Sequence, residues 1–225
     1  MRFSRGLSVS ITPEGMIFKE KDSIEHRLSE LNRHLTEATS ETDRRWLKKE
    51  IAILRAGDKG EQDTAYFIDF ELKDSRKWAV IHDLRIEWNG RVAQIDHLMI
   101  NRLMEIYVVE SKSFRSKVRY ANGGWERLND KRWEGIASPV EQNERHIFVL
   151  KEFLSENDFA PARFGLSPTF FNIIAVQPSC SIVGNLPRDA SGCVSPGGRL
   201  SARLQADMRP YGTSSPRTTP GGRTR

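Results

Sequence analysis

Two carboxylates and one ammonium group stand close together near the middle of the sequence. Glu110 follows Asp96 after a short interval, and Lys112 comes two residues after Glu110. Carboxylate oxygens are the ligands that Mg²⁺ and Mn²⁺ prefer. A lysine beside such ligands can hold a water molecule or stabilise charge on phosphorus oxygens. These residue types could therefore support metal-assisted hydrolysis if the fold brings them together.

Three neighbouring strands are predicted around these residues. Segments rich in Val, Ile, Tyr and Trp cover 78–88, 91–100 and 105–113, and Asn89-Gly90 between the first two is a strong hairpin signal. A second hairpin centred near Leu103 sets Asp96 opposite Glu110, two steps beyond a pair formed by Leu98 and Val108. Because side chains alternate along a strand, Lys112 continues the same row.

Two carboxylates placed so close together are energetically unfavourable without a cation beside them. Two carboxylates ~4 Å apart repel by about 4 kcal/mol at an effective dielectric near 20. A divalent cation reverses the sign of that interaction. The sequence therefore predicts a Mg²⁺ or Mn²⁺ site formed by Asp96, Glu110 and the backbone carbonyl of Ser111.

Two predicted helices direct polar side chains to the same place. A helix over 61–72 has Glu61 at the start of its apolar face, and a helix from Ser138 to about Leu154 has Gln142 in the corresponding position. Ser138 with Glu141 resembles a capping box. A short apolar run at 169–176 is typical of a buried strand. Glu61 and Gln142 are thus expected to support the site.

The N-terminal part reads as a helical arm. Apolar residues recur at helical spacing between about residues 21 and 56, the stripe stops near Ser40, and Gly57 is placed as a C-terminal cap. Two packed helices and one broken coiled coil fit this pattern equally well. We expect a scaffold or an arm for self-association.

Composition limits the remaining possibilities. The formal charge is +5, and residues 187–225 hold seven Arg against two Asp, so 7 − 2 = +5 and residues 1–186 are neutral. That segment is rich in Pro, Gly, Ser and Arg, which predicts a disordered tail. A terminus shifted out of frame is the alternative. Two cysteines, no signal-peptide pattern and no membrane-length apolar run favour a soluble, cytoplasmic protein.

Several of these residues also have simpler interpretations. Asp96, Glu110 and Lys112 could form an ordinary salt-bridge row on a solvated face. His97 is expected on the opposite face as a packed or hydrogen-bonded residue. Trp125 and Trp133 could stack on bases but are more often core residues. Three alternating cations could follow a phosphate backbone or line a solvated edge: Arg115, Lys117 and Arg119.

The motifs together resemble a known family. Gly60-Glu61, Gln94-Ile95-Asp96-His97, Val109-Glu110-Ser111-Lys112, Trp125 and Pro139-Val140-Glu141-Gln142 are similar to the signature of the nuclease-related domain (NERD) family, in the PD-(D/E)xK nuclease-like superfamily. The similarity covers about residues 57–176. It implies catalytic positions at Asp96, Glu110 and Lys112, with Glu61 and Gln142 supporting them, and it implies DNA rather than RNA as the substrate.

The sequence as a whole predicts an α/β protein in three parts. These are a helical or coiled-coil arm over 1–57, a restriction-endonuclease-like α-β-β-β-α-β domain over 58–186 and a disordered basic tail over 187–225. The expected function is metal-dependent cleavage of DNA in processing or repair. The alternative is a non-catalytic module that binds nucleic acid or another protein.

Overall fold

A computed structural model describes residues 17–114, 116–157, 167–187, 190 and 194–196. They form two mixed sheets and three helices. In chain order the elements are β1 (Ile17–Lys19), α1 (Glu25–Glu37), α2 (Glu41–Leu72), β2 (Trp78–Trp88), β3 (Arg91–Asn101), β4 (Glu105–Lys112), β5 (Lys117–Ala121), β6 (Gly124–Asn129), β7 (Arg132–Ile136), α3 (Pro139–Glu156), β8 (Thr169–Val176), β9 (Ser181–Val183) and β10 (Val194–Pro196).

The larger sheet has the order β1-β2-β3-β4-β8-β10. Strands β2, β3 and β4 are antiparallel, whereas β1, β8 and β10 each run parallel to a neighbour. The C-terminal half of α2 packs on one face through Ile68 and Leu72, and α3 packs on the other through Ile147 and Leu150. The predicted α-β-β-β-α-β core is therefore present as α2, β2, β3, β4, α3 and β8.

The element boundaries agree closely with the sequence patterns. Strands β2 and β8 have the predicted limits, and β3 and β4 differ from theirs by one residue each. Helix α3 begins at Pro139, and the Ser138 side chain accepts a hydrogen bond from the Glu141 N–H. The predicted helix start is confirmed.

Helix α2 differs from the prediction, because it runs through Gly57 and Gly60 without a break. The cap predicted at Gly57 is wrong. A glycine inside a helix costs about 1 kcal/mol relative to alanine, and packing on both sides of this one offsets that cost. Leu47 and Ile51 are buried before it and Ile68 after it. The Ser40 side chain caps the start of α2 by accepting hydrogen bonds from the N–H groups of Thr42 and Asp43, and α1 packs against α2 as two packed helices would.

The smaller sheet was not predicted. Its order is β7-β6-β5-β9, and tight turns join its first three strands. Asn122 and Gly123 have φ of 54° and 76°, and Asp130 and Lys131 have φ of 42° and 68°. Such paired positive values are typical of two-residue hairpin turns. Gly123 ends the first of these turns, and Gly124 begins β6.

Part of the range predicted as a disordered tail is ordered. Ala190 is buried beside Val118 and Trp125, and Val194–Pro196 pairs with β8 as an edge strand. Residues 197–225, with most of the predicted tail, lie outside the described part of the chain. None of the helices described here is long and apolar enough to cross a membrane.

Candidate active site

The candidate site lies where β3 and β4 separate. The predicted register is confirmed for the pairs Leu98 with Val108 and Ile100 with Ile106. The ladder ends, however, at His97 with Val109. Asp96 and Glu110 are therefore not a ladder pair, and the prediction that they stand directly opposite each other in the register needs correction.

A local break in strand alternation explains the difference. Ile95 and Leu98 are three residues apart, yet both belong to the apolar cluster beneath α3, and Ile81 and Leu84 on β2 both pack against that cluster. Regular alternation would put residues three apart on opposite faces. The pairing of β2 with β3 omits Asp83 and Asp96. Asp83 has a φ of 55°. Asp96 sits at this irregularity.

The backbone of β4 holds Asp96 at the point where β3 and β4 separate, which we call the fork. Its Oδ2 accepts the Ser111 N–H at 2.7 Å. Burial raises the pKa of the Asp96 carboxyl well above its usual range, and the charges of Glu110 and Glu61 raise it further. The structure thus brings Asp96 close enough to both carboxylates for their charges to act on it.

Glu110, Lys112 and Gln142 form a compact hydrogen-bonded group. Lys112 Nζ donates to Glu110 Oε1 at 2.6 Å and to Gln142 Oε1 at 3.0 Å, and Gln142 Nε2 donates to Glu110 Oε1 at 2.9 Å. The Glu110 side chain is 5% exposed and that of Lys112 is 25% exposed. Helix α3 therefore supplies the amide that holds the carboxylate and the ammonium together.

The second oxygen of Glu110 is buried without a donor. Glu110 Oε2 and His146 Nδ1 are 3.6 Å apart, too far for a hydrogen bond, and neither has a hydrogen-bond partner among the described residues. Burial lowers the pKa of His146, although the Glu110 charge opposes this. A buried carboxylate oxygen left in this way is costly unless a cation or a proton meets it.

Glu61 enters the site from α2 together with a cation from the N-terminal segment. Lys21 Nζ lies 2.8 Å from Asp58 Oδ1 and 3.0 Å from Glu61 Oε2. Burial alone would lower the pKa of Lys21, but the hydrogen bonds to Asp58 and Glu61 outweigh it, and its pKa is raised. Lys21 was not among the predicted residues, because nothing in its sequence surroundings marks it.

The oxygen atoms at the site are of the type that binds a hard divalent cation, although the protein supplies few of them. Asp96 and Glu110 offer carboxylate oxygens, one of them the unpaired Glu110 Oε2. The N–H and the hydroxyl of Ser111 are already hydrogen-bonded to Asp96 and His97. Its backbone carbonyl stays a predicted metal ligand. Within the described ranges no group of three or more His, Cys, Asp and Glu has a geometry suited to a metal. Mg²⁺ commonly keeps several waters and needs only one or two carboxylates, so this count is compatible with it.

A chain of hydrogen bonds on the α2 side of the sheet leads to the same fork. Asp69 Oδ1 lies 3.0 Å from His82 Nε2, the Nδ1 atoms of His82 and His97 are 2.7 Å apart, and His97 Nε2 lies 3.0 Å from Ser111 Oγ. Both histidines are fully buried. The prediction of a hydrogen-bonded His97 on the opposite face is thus confirmed.

His82 and Asp69 were missed at the sequence level. The Asn89-Gly90 turn sets His82 directly opposite His97, so the register of the first hairpin already contained this pair. Asp69 had no comparable signal, since its approach depends on how α2 packs on the sheet.

The aromatic and basic residues considered for contact with nucleic acid occupy different environments in the structure. Trp125 is a core residue, and Trp133 lies beneath Arg119, whose guanidinium carbon is 4.0 Å from the ring centroid. Arg119 also pairs with Glu126 at 2.6 Å. Lys117 lines a surface groove, whereas Arg115 lies outside the described residues.

The α-β-β-β-α-β core, with acidic residues and a lysine where two central strands diverge, defines a PD-(D/E)xK nuclease-like protein. A comparison with family models matches the nuclease-related domain over residues 56–176. The chain belongs to this nuclease-related domain (NERD) family. Comparisons with curated proteins and with solved structures give no significant match.

Proposed function

We propose that this protein is a metal-dependent nuclease that hydrolyses phosphodiester bonds of DNA in processing or repair. The observation that carries the proposal is the buried Glu110, whose Oε2 has no described donor while its Oε1 accepts from Lys112. Membership of a nuclease-related family supports it. The cytoplasmic location expected from the sequence forms part of the same proposal.

The roles follow from the chemistry of each side chain. Asp96 and Glu110, with the Ser111 carbonyl, would hold Mg²⁺ or Mn²⁺. When bound, such an ion supplies Lewis acidity and lowers the pKa of a coordinated water. Lys112 has three donors, and described residues accept from two of them, Glu110 and Gln142. The third remains for the attacking water or a phosphate oxygen.

The supporting residues fix this arrangement. Gln142 bonds both Lys112 and Glu110, so it sets the ammonium and the carboxylate at one distance. Glu61, held by Lys21, adds negative charge on the α2 side of Asp96. That charge disfavours the ionised form of Asp96, and a cation bound beside both carboxylates would offset this by attracting each of them.

A basic groove supports a path for the nucleic-acid backbone. It has a volume of about 410 Å³ and lies between α2 and the β5–β6 hairpin. It starts at Ser113, next to Lys112, and its lining includes Lys49, Lys117 and Arg127. Arg127 is partly offset by Glu134 at 3.4 Å, but Lys117 forms no ion pair with any residue the structure describes. Cations in this position suit a row of phosphates.

One observation favours the alternative, a non-catalytic module that binds nucleic acid. Lys112 Nζ already contacts Glu110 at 2.6 Å and provides a positive charge at the place where a metal would act. A site neutralised in this way can remain stable without an ion. Binding of DNA that EDTA does not change, with no cleavage of any substrate, would favour this function.

The test is cleavage of single-stranded, duplex and branched DNA by the full chain, with Mg²⁺, with Mn²⁺ and with EDTA. We expect cleavage only with metal. Asp96→Ala with Glu110→Ala should lower kcat about a thousandfold, because several kcal/mol of transition-state stabilisation are lost. Equal cleavage of RNA would correct the substrate class.

A matched control separates the site from general charge effects. Glu144 is an exposed carboxylate on α3, the helix that carries Gln142. Glu144→Gln should retain full activity, whereas Glu110→Gln should lose both cleavage and Mn²⁺ binding in calorimetry. Cleavage that persists in the Asp96→Ala, Glu110→Ala double variant would remove these residues from the mechanism.

A further inference from the structure

We propose that Asp69, His82 and His97 are positioning residues, which form a hydrogen-bond chain of fixed direction that holds Ser111 and, through it, Asp96. Three contacts of 2.7–3.0 Å join the chain from α2 across β2 and β3 to β4. The proposed function does not use this chain, and the family match does not assign it.

The direction of the chain follows from donor counting. As a carboxylate, Asp69 can only accept, so His82 Nε2 carries a hydrogen and His82 Nδ1, in the neutral ring, is an acceptor. His97 Nδ1 must then donate, which leaves His97 Nε2 as the acceptor of the Ser111 hydroxyl hydrogen. Every ring nitrogen is satisfied with both histidines neutral.

The surroundings agree with neutral rings. Both histidines have no exposed surface, and an imidazolium pair in contact would be strongly unfavourable there. With both rings neutral, one arrangement of hydrogens satisfies all the contacts.

The hydrogen-bond chain ends where the ladder between β3 and β4 stops. The β3–β4 ladder stops at His97 with Val109, and beyond it two bonds from Ser111 join the strands. The Ser111 N–H donates to Asp96, and the Ser111 hydroxyl bonds to His97. Because Asp69 and Glu61 share α2, the chain also ties that helix to the fork. By holding the Ser111 hydroxyl in place, the chain also holds the Ser111 N–H that donates to Asp96.

The direct test is the tautomeric state of the histidines in the metal-free full chain. Long-range ¹H–¹⁵N correlation spectra should show His97 protonated at Nδ1 and His82 protonated at Nε2. His97 protonated at Nε2 in the wild type would overturn the proposal. This measurement requires neither metal nor cleavage, and it stands whether or not Asp69 variants fold.

A variant pair then tests the origin and the consequence of the direction. Asp69→Asn keeps the shape but allows either direction, so the reversed tautomers should become detectable. Asp63→Asn, an exposed position on the same helix paired with Lys59, should give the wild-type spectrum. A spectrum of Asp69→Asn identical to that of the wild type would also overturn the proposal.

The catalytic consequence rests on the proposed function. Partners beyond the ligands of a metal site typically change affinity or activity by 10–100-fold. Asp69→Asn should therefore lower kcat and Mn²⁺ affinity about tenfold, with KM for DNA unchanged, because Asp69 does not line the groove. Reversed tautomers with full activity would refute the positioning role. Absence of cleavage in the wild type would instead refute the proposed function, while the tautomers remain measurable.

Discussion

Asp96 combines burial with two neighbouring carboxylates, and each of these penalises its ionised form. Burial is the largest cause of its raised pKa, followed by Glu110 and Glu61. The Ser111 N–H and Lys112 oppose the shift without cancelling it. Carboxyl groups with strongly shifted pKa values are common at active sites, which supports the role proposed for Asp96.

We therefore expect Asp96→Asn to stabilise the metal-free protein at neutral pH. The folded pKa of Asp96 lies above the unfolded one, so its ionisation removes stability as pH rises through the folded value. Asparagine avoids this loss, and its Oδ1 can still accept the Ser111 N–H. The gain should raise Tm by about 2–4 °C per kcal/mol.

Thermal unfolding in EDTA across pH provides the measurement. The difference in Tm between Asp96→Asn and the wild type should disappear below about pH 4, where the unfolded carboxyl is also protonated. Asp74→Asn, at an exposed turn position, is the control and should show no such trend. A lower Tm of Asp96→Asn at neutral pH would contradict the expectation.

Helix α2 carries Glu61 to the site, and it approaches Ser113, just after β4, at a glycine. A Cβ added at Gly60 would lie 3.0 Å from the Ser113 Cβ, whereas one added at Gly57 would meet nothing within 4 Å. A side chain at Gly60 would thus crowd Ser113, whereas Gly57 has open space for one.

Two alanine substitutions should therefore have opposite effects on the free energy of unfolding. Gly57→Ala should raise it by about 1 kcal/mol, the helix preference of alanine over glycine. Gly60→Ala gains the same preference but must displace the chain at Ser113, and overpacking of this kind costs about 1–3 kcal/mol. Urea unfolding of both variants measures the difference. Equal stabilisation by both would show that the contact at Ser113 yields readily.

Local patterns were sufficient to predict most elements of the core. The Asn89-Gly90 turn fixed the first hairpin, and the Ser138-Pro139 start fixed α3, because each signal lies within a few residues. The continuity of α2 was missed, since it depends on packing at both ends of the helix. The smaller sheet was missed because its strands are short, with three to six residues each.

The site was predicted in composition and only partly in geometry. The structure brings Glu110, Lys112 and Gln142 together as the alternation rule suggested. The rule failed at Asp96, because the β3–β4 ladder ends before it and the β2–β3 pairing omits it. Contacts between distant elements, such as those of Lys21 and Asp69, have no local signal at all.

At the scale of the whole molecule, the charge that matters for nucleic acid is local. Residues 1–186 are formally neutral, so attraction to phosphates must come from arrangement rather than from net charge. The groove that contains Lys117 provides such an arrangement.

Salt dependence of DNA binding tests this groove. Each phosphate contact contributes about 0.7–0.9 to the slope of log K against log salt. Lys117→Ala should reduce the slope by about that amount. Lys77, an exposed lysine before β2 at the other end of the sheet, supplies the control, and Lys77→Ala should leave the slope unchanged. The same slope in wild type and Lys117→Ala, measured by fluorescence anisotropy in EDTA, would exclude the groove.

The unbroken course of α2 also sets a length scale. Glu41 and Glu61 are 61 − 41 = 20 residues apart on one helix, which corresponds to about 30 Å at 1.5 Å per residue. In the proposed nuclease, this helix would fix the distance between its first turn and the candidate site at Glu61. A group attached at the first turn would stay at that distance from the site, and inserting one helical turn would change the distance by about 5 Å.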